Sequence, residues 1–167
     1  MAKFVCSGLP SLKTDWTKWK MFFCDERLVP IDHEDSTLRL YVEGLVGSTP
    51  LTKEQFLVVD TSLEMSSAAR DYEAKVRTAF PSCEWPSFDL LLLGVGPDGH
   101  TASLFPGHSL LDESKLWIAP ISDSPKPPPN RVTMTLPVIN HSRACIFAMV
   151  GQSKASMLKV LYRQEYF

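Results

Sequence analysis

Short apolar runs alternate along the chain with longer segments in which apolar residues recur at helical spacing. Gly, Pro and charged residues flank the short runs, as is typical of strands in a folded domain. We expect strands at residues 19–24, 56–59, 90–93, 116–120, 131–136 and 144–150. Polar and apolar residues alternate in 131–136, which predicts a half-buried strand. The runs 90–93 and 144–150 are apolar throughout and predict buried strands.

Three segments have the periodicity of amphipathic helices. In the first, apolar residues occur at positions i, i+3, i+4 and i+7, namely Leu38, Tyr41, Val42 and Leu45. Asp35 or Ser36 can cap its start, and Gly47 is suited to its end. The second helix covers about 66–80 and ends at Pro81, and its inward side chains are Ala69, Tyr72, Val76 and Ala79. The third follows Ser153, and its inward side chains are Met157, Leu158 and Leu161.

The alternation of strands and helices predicts the fold class. Strands that follow one another through helices pair side by side in parallel, and the helices then cover both faces of the sheet. We therefore expect a three-layer α/β fold with a mostly parallel sheet. Residues 1–18 have no clean period and predict no element.

Composition narrows the classes of function. The 167 residues are 44% apolar and 22% charged, with a net charge of −2. This charge provides no field that favours nucleic acid or a membrane surface, and no apolar run is long enough to span a bilayer. The cysteines are scattered without a CxxC pair, which is neither a zinc pattern nor a disulfide framework. We expect a protein of a reducing compartment, the cytoplasm.

The stretch FDLLLLGVGPDGHTASLFP, residues 88–106, is the first site candidate. A predicted strand runs into a turn with glycines at 94, 96 and 99, and ligands of open α/β sheets bind beyond the carboxyl ends of strands. The glycine spacing also matches a dinucleotide-binding fingerprint. We interpret that match as accidental, because Pro97 removes a backbone donor and Asp98 would place a carboxylate against a pyrophosphate.

Asp98 and His100 form the candidate catalytic pair. Histidine titrates near neutral pH and can act as a general base, and a carboxylate two residues before it can orient the ring. The alternative is a loop histidine that caps a helix, with Asp98 as a turn residue; from these two residues alone it is the commoner case. The other histidines are expected to be structural or solvated, and they are His33, His108 and His141.

Two further segments carry charges that could bind an anion. Asp25, Glu26 and Arg27 directly follow a predicted strand, so Arg27 lies either at the sheet edge, where it could bind a phosphate, or in a solvated loop. The loop SDSPKPPPN, residues 122–130, has a PxxP spacing that fits a polyproline ligand of a partner domain. The alternative is a stiffened active-site loop that fixes Lys126 and Arg131.

Three motifs together resemble the 6-phosphogluconolactonase family. These are FFCDERLVP, GVGPDGHTASLFP and ISDSPKPPPNRVTMTLP, in this order, and the resemblance extends from about Trp19 to the last helix. The glucosamine-6-phosphate deaminases share the GxGxDGH core, but theirs continues into Ala-Phe-Asn-Glu-Pro. This chain has Ala-Ser-Leu-Phe-Pro at 102–106, which favours the lactonases.

The resemblance implies a fold, a reaction and a set of site residues. The fold is that of the deaminases, ribose-5-phosphate isomerases and coenzyme A transferases. The reaction is hydrolysis of 6-phosphoglucono-δ-lactone, a sugar-phosphate lactone, without a cofactor or metal, by a monomer. His100 is implied as the general base and Asp98 as the residue that orients it. The substrate-binding residues are implied to be Asp25, Arg27, Lys126 and Arg131, with backbone N–H groups of Gly96 and Gly99 at the oxyanion.

The chain also departs from the family pattern. Family members begin with a strand and a Ser-Gly-Gly-Ser loop that binds phosphate, and Cys6-Ser7-Gly8-Leu9 is a poor substitute. We therefore expect residues 1–167 to form a single lactonase-like domain that lacks this first strand and the C-terminal elements, with reduced or lost turnover. The alternatives are a deaminase-like enzyme, and a catalytically silent isoform or interaction module that uses the Pro-rich loop.

Overall fold

A computed structural model of the chain describes residues 1–163. The α-helices are α1 (Ala2–Gly8), α2 (Thr37–Leu45), α3 (Met65–Ala79), α4 (Leu136–Asn140) and α5 (Ala155–Arg163). The strands are β1 (Met21–Phe22), β2 (Asp25–Arg27), β3 (Phe56–Leu57), β4 (Leu91–Gly94), β5 (Ile118–Ile121), β6 (Arg131–Met134) and β7 (Cys145–Ala148). Among the described residues, no helix is long and apolar enough to cross a bilayer.

The strands form three small sheets within an α/β fold. β1 pairs with β3 and β4 pairs with β7, both in parallel, as predicted for strands connected through helices. The third sheet has the order β2-β6-β5 and is antiparallel throughout. The α/β class is therefore confirmed, whereas the expected mostly parallel sheet is only partly present. The Pro-rich loop joins β5 to β6 as a hairpin, which makes that pair antiparallel.

The two long helices form where the apolar spacing predicts them. The Ser36 side chain accepts a hydrogen bond from the Arg39 N–H at 3.2 Å and caps α2. The buried face of α3 consists of Ala68, Ala69, Tyr72 and Val76. The hydroxyl of Tyr72 accepts from the Phe23 N–H at 2.8 Å and donates to the Phe23 carbonyl at 3.1 Å, so its packed, structural role is confirmed. These contacts connect α3 to the strand segment that precedes the Asp25–Arg27 triplet.

Strand burial differs from the sequence-based expectation in three places. All four residues of β6 are buried, rather than every second one, because β6 is the central strand of its sheet and also contacts α3. In β4, Leu91 and Leu93 are buried while Leu92 is only half-buried, since one face of the strand packs in the core and the other lines a cleft. β7 was expected to be buried, yet Ile146 and Phe147 are more than half exposed.

The two ends of the described chain also differ from expectation. Residues 2–8 form a helix that packs on α2, although they have no clean apolar period. In α5, Met157 is half-buried but Leu158 is exposed, so the predicted inward position of Leu158 is wrong. The side chain of Leu161 lies outside the described part of the structure.

Candidate active site

The loop after β4 is shaped by Gly96. A Cβ atom at this position would overlap the His100 ring and the Asp98 carboxylate, because both side chains fold back over the Gly96 backbone. The Gly96 N–H donates to the His100 carbonyl at 2.7 Å and closes the turn. Glycine is therefore required here by close approach of side chains rather than by an unusual φ. The turn brings the Asp98 and His100 side chains together at the end of the strand.

Asp98, His100 and Lys126 form a compact group that we call the reactive cluster. The Asp98 Oδ1 atom lies 2.6 Å from His100 Nδ1 and accepts from Lys126 Nζ at 2.8 Å. Lys126 Nζ is also 3.2 Å from His100 Nδ1. The His100 side chain is only 18% exposed, compared with 38% for Asp98 and 35% for Lys126. The cluster is thus a partly desolvated ion pair with a titratable imidazole attached.

The electrostatics of the cluster keep Asp98 ionised. Burial on its own acts to raise the pKa of this carboxyl, but hydrogen bonds from Lys126 and His100 hold the pKa well below its ordinary value. A carboxylate at this position favours the tautomer of His100 in which Nδ1 carries a proton and donates to it. The lone pair of the neutral ring is then on Nε2, which has no hydrogen-bond partner among residues 1–163.

Phe105 provides an apolar support for the imidazole. The ring centroids of His100 and Phe105 are 4.7 Å apart, and Phe105 is buried. On the same Phe105 ring, the guanidinium carbon of Arg131 lies 5.7 Å from the centroid. His100 and Arg131 are therefore both neighbours of the same aromatic ring.

The two arginines are placed differently. Arg131 is 3% exposed, and its Nε and Nη2 atoms donate to carbonyl oxygens of the Pro-rich loop. Arg27 is half-buried; its Nη1 donates to the Asp35 carbonyl at 2.9 Å, while its buried Nε has no partner among the described residues. Arg27 thus has a buried donor without a partner among residues 1–163, whereas four of the five guanidinium N–H groups of Arg131 are used within the protein. Both are expected to bind the substrate, and this role stays a prediction for each of them.

The loop glycines use their backbone N–H groups within the turn. The Gly96 N–H is used within the turn, and the Gly99 N–H donates to the Gly96 carbonyl at 3.1 Å. Both donors are therefore engaged in hydrogen bonds of the turn, and their role at an oxyanion stays a prediction. Gly99 has a φ of +92°, a conformation that glycine adopts without strain. The glycines form the turn, and they do not provide its open donors.

Two residues next to the predicted ones were missed by sequence reasoning. Glu26 is 2% exposed, and its carboxylate accepts from the N–H groups of Arg27, Thr37 and Leu38 at 2.7–2.9 Å. Burial raises the pKa of this carboxyl, although the backbone hydrogen bonds oppose the shift. Ser103 is fully buried and donates to Asp25 Oδ2 at 2.7 Å. A charge in a sequence usually indicates exposure, and nothing in the motif signalled these buried partners.

The remaining histidines have structural contacts, as expected. His108 accepts from the Leu110 N–H and caps a short 3₁₀ turn, while His33 accepts from the Asp35 N–H and His141 Nδ1 lies 2.7 Å from the Pro137 carbonyl. Within residues 1–163, no group of three or more His, Cys, Asp or Glu side chains is placed to hold a metal ion.

A cleft of about 1140 Å³ is lined by some of these groups. β1 and β4 line its apolar part, and Asp25, Arg27, His100 and Arg131 are on its wall. Three chain segments that are far apart in sequence thus bring charged and titratable groups to one cavity. This is the arrangement of a binding site for a small polar molecule.

Comparisons with known proteins assign the chain to a family. A family model described as glucosamine-6-phosphate isomerases/6-phosphogluconolactonase matches residues 1–166. The chain belongs to this family. Family membership confirms the resemblance that the three sequence motifs indicated.

Similar proteins carry the lactonase name. The rat 6-phosphogluconolactonase is 52% identical over 157 residues, which are 93% of this chain and 61% of the rat protein. The human 6-phosphogluconolactonase is 51% identical, with the same coverage of both chains. The chain therefore spans about three fifths of the length of these mammalian relatives.

Solved lactonase structures share the fold. The 6-phosphogluconolactonase of Thermotoga maritima has a TM-score of 0.83 at 32% identity, covering 96% of this chain and 70% of that one. For the enzyme from Trypanosoma cruzi the TM-score is 0.79 at 28% identity, with 95% and 66% covered. The expected fold is confirmed by these similarities.

Proposed function

We propose that this site hydrolyses 6-phosphoglucono-δ-lactone to 6-phosphogluconate, a step of the oxidative pentose phosphate pathway. The observation that carries the proposal is the 2.6 Å contact between His100 Nδ1 and the ionised Asp98, at the wall of the cleft. It leaves Nε2 as the basic nitrogen of a partly buried imidazole. The relatives named above as 6-phosphogluconolactonases support the same substrate for this chain.

His100 acts as a general base on water. Nε2 removes a proton as the water oxygen attacks the lactone carbonyl, and Asp98 stabilises the imidazolium that results. The imidazolium then returns the proton to the ring oxygen as the C–O bond breaks. Lys126, beside His100, provides a positive charge for the developing oxyanion, which the glycine N–H groups do not supply in this structure.

Arg27 is the residue proposed to bind the substrate phosphate. Its buried Nε has no partner among residues 1–163. Its charge also lowers the pKa of the Arg131 guanidinium, an effect second only to that of burial. Two neighbouring cations in a chain of near-zero net charge favour an anion between or beside them. Asp25, bonded to Ser103, limits this positive charge and completes the polar wall.

The alternatives fit the contacts less well. A deaminase is disfavoured by the Ala-Ser-Leu-Phe-Pro sequence after the loop and by the lactonase names of the similar proteins. An interaction module would present the Pro-rich loop to a partner. Instead, three successive loop carbonyls accept hydrogen bonds from Arg131 inside the protein, which favours an active-site loop.

The oligomeric state and the cellular compartment follow from the same reasoning. We propose a single domain that works as a monomer in the cytoplasm. All four cysteines are free thiols in the structure, which supports a reducing compartment.

The test is hydrolysis of freshly generated 6-phosphoglucono-δ-lactone, measured against the spontaneous rate. Replacement of His100 by Ala should lower kcat by about 10²–10⁴-fold, whereas the surface variant His141→Ala should be unchanged. Arg27→Ala should raise KM for the phosphorylated lactone about tenfold or more and leave the kinetics of glucono-δ-lactone unaltered. A folded chain without activity above the spontaneous rate, or an active His100→Ala variant, would refute the proposal.

A further inference from the structure

Arg131 is a buried cation whose donors are directed to the backbone. Its Nε donates to the Pro128 carbonyl at 3.0 Å, and its Nη2 donates to the carbonyls of Lys126 and Pro127 at 2.9 and 3.2 Å. Nη1 is 3.4 Å from the Ser103 hydroxyl. Four of the five guanidinium N–H groups are therefore used within the protein. Only one N–H group of this side chain therefore remains for a hydrogen bond to a substrate.

The Pro-rich loop has few backbone N–H groups with which to pair its own carbonyl oxygens. Pro127, Pro128 and Pro129 have no N–H, so this segment cannot pair its carbonyls through a ladder of its own. The bonds from Arg131 to the three loop carbonyls are partly buried, where an unpaired acceptor is costly. The planar fork of one guanidinium serves three of them at once, which an ammonium group cannot do with the same geometry.

The same contacts fix the position of Lys126. Its carbonyl accepts from both the Arg131 Nη2 and the Ser124 hydroxyl, the latter at 2.8 Å. With its backbone held from two sides, Lys126 extends its side chain to Asp98 and His100. The Phe105 ring lies next to both the Arg131 guanidinium and the His100 ring, which gives a second contact path between the two residues. Both routes lead from one buried guanidinium to the reactive cluster.

We propose that Arg131 is a positioning residue, which shapes the Pro-rich loop so that Lys126 is held against Asp98 and His100, and that it does not bind the substrate phosphate. The inference rests on the proposed lactone hydrolysis for its kinetic consequences only. The two arginines then have different roles. Arg27 binds the anion, and Arg131 positions the residues that act on the lactone carbonyl.

The experiment compares Arg131→Lys with a matched surface control, Arg143→Lys, in the full chain. Arg143 forms an exposed ion pair with Asp89, remote from the loop in its contacts. Hydrogen exchange of the Ser124 and Lys126 amides should be about tenfold faster in Arg131→Lys and unchanged in the control. This readout needs no turnover, so it tests the inference even if the chain hydrolyses no lactone.

Kinetics then separate positioning from phosphate binding. We expect Arg131→Lys to lower kcat about 10–100-fold for 6-phosphoglucono-δ-lactone and for glucono-δ-lactone alike, with KM nearly constant. If the variant does not fold by circular dichroism, Ser124→Ala removes the hydroxyl's bonds to both the carbonyl and the N–H of Lys126 and should lower kcat for both lactones by a smaller factor, again with KM nearly constant. Normal loop exchange in the folded variant, or a raised KM confined to the phosphorylated lactone, would overturn the inference.

Discussion

Two charged regions near the cleft differ in the partners of their charged groups. The reactive cluster is partly exposed, and its charged groups contact one another. We call Glu26 and its three backbone donors the buried cap. Here a buried carboxylate accepts from two N–H groups at the start of α2, those of Thr37 and Leu38, and from the Arg27 N–H in β2. Side chains that pair with each other can rearrange during a reaction. A carboxylate bound by backbone cannot move without disturbing the fold.

The contrast teaches where mutations should affect rate and where they should affect stability. Proton transfer needs a group whose protonation can change at moderate cost, which partial exposure permits. The buried cap needs a group whose charge and position stay fixed. The positive end of the α2 helix favours the ionised Glu26 carboxylate there. Asp25 and Arg27 are the sequence neighbours of Glu26, so a fixed Glu26 also fixes the position of β2.

The largest expected effect tests the reactive cluster without adding or removing a charge. In Gly96→Ala, the new methyl group would overlap the His100 ring and displace it, so kcat for lactone hydrolysis should drop about 100-fold. Gly94→Ala is the matched control, because a Cβ there has no neighbour within 4 Å, and it should retain normal turnover. Equal rates for the two variants would mean that the turn does not hold His100 in its reactive position.

The second expected effect tests the buried cap. Glu26→Gln keeps the shape but turns an amide N–H₂ toward backbone donors, which should lower the free energy of unfolding in urea by about 1–3 kcal/mol. Glu43→Gln is the comparison: it removes an exposed i, i+4 ion pair with Arg39 and should cost about 0.3–0.5 kcal/mol. If Glu26→Gln is as stable as Glu43→Gln, the distinction between the two regions fails.

The smallest expected effect uses pH. Since the pKa of Asp98 is lower in the folded chain than its ordinary value of about 4, its ionised form stabilises the fold above that pH. This stabilisation is lost as pH falls through the folded-state pKa. The difference in unfolding free energy between wild type and Asp98→Asn should therefore shrink from pH 7 toward pH 2. In a Lys126→Met background the pH dependence should be weaker, and an unchanged dependence would argue against the Lys126 contact as its cause.

Much of this architecture is predictable because it depends on patterns of several residues. The spacing of apolar residues located α2 and α3, and the glycine-rich turn located Asp98 and His100. The burial of β7 was mispredicted because an apolar run does not reveal whether another element covers it. The N-terminal helix was missed because residues 2–8 lack a regular apolar period.

The individual charges were harder to predict than the elements. Nothing in the sequence distinguishes Arg27, which keeps an unused donor, from Arg131, which is committed to loop carbonyls. Arg27 is the last residue of β2 and Arg131 the first of β6, and both match the family motifs. Their difference arises from partners distant in sequence, which no local pattern records. Glu26 is similar: in a charged triplet it resembles a solvated residue, yet it is among the most buried side chains described.

The bond between Ser103 and Asp25 joins residues 78 positions apart, and the contact of Lys126 with Asp98 spans 28. Such pairings close long loops, whose entropic cost is met only late in folding, after local helices have formed. Secondary structure can consequently return during refolding while the cleft is still unassembled. Recovery of lactone hydrolysis would thus follow recovery of helical circular dichroism, and it would report completion of the native topology.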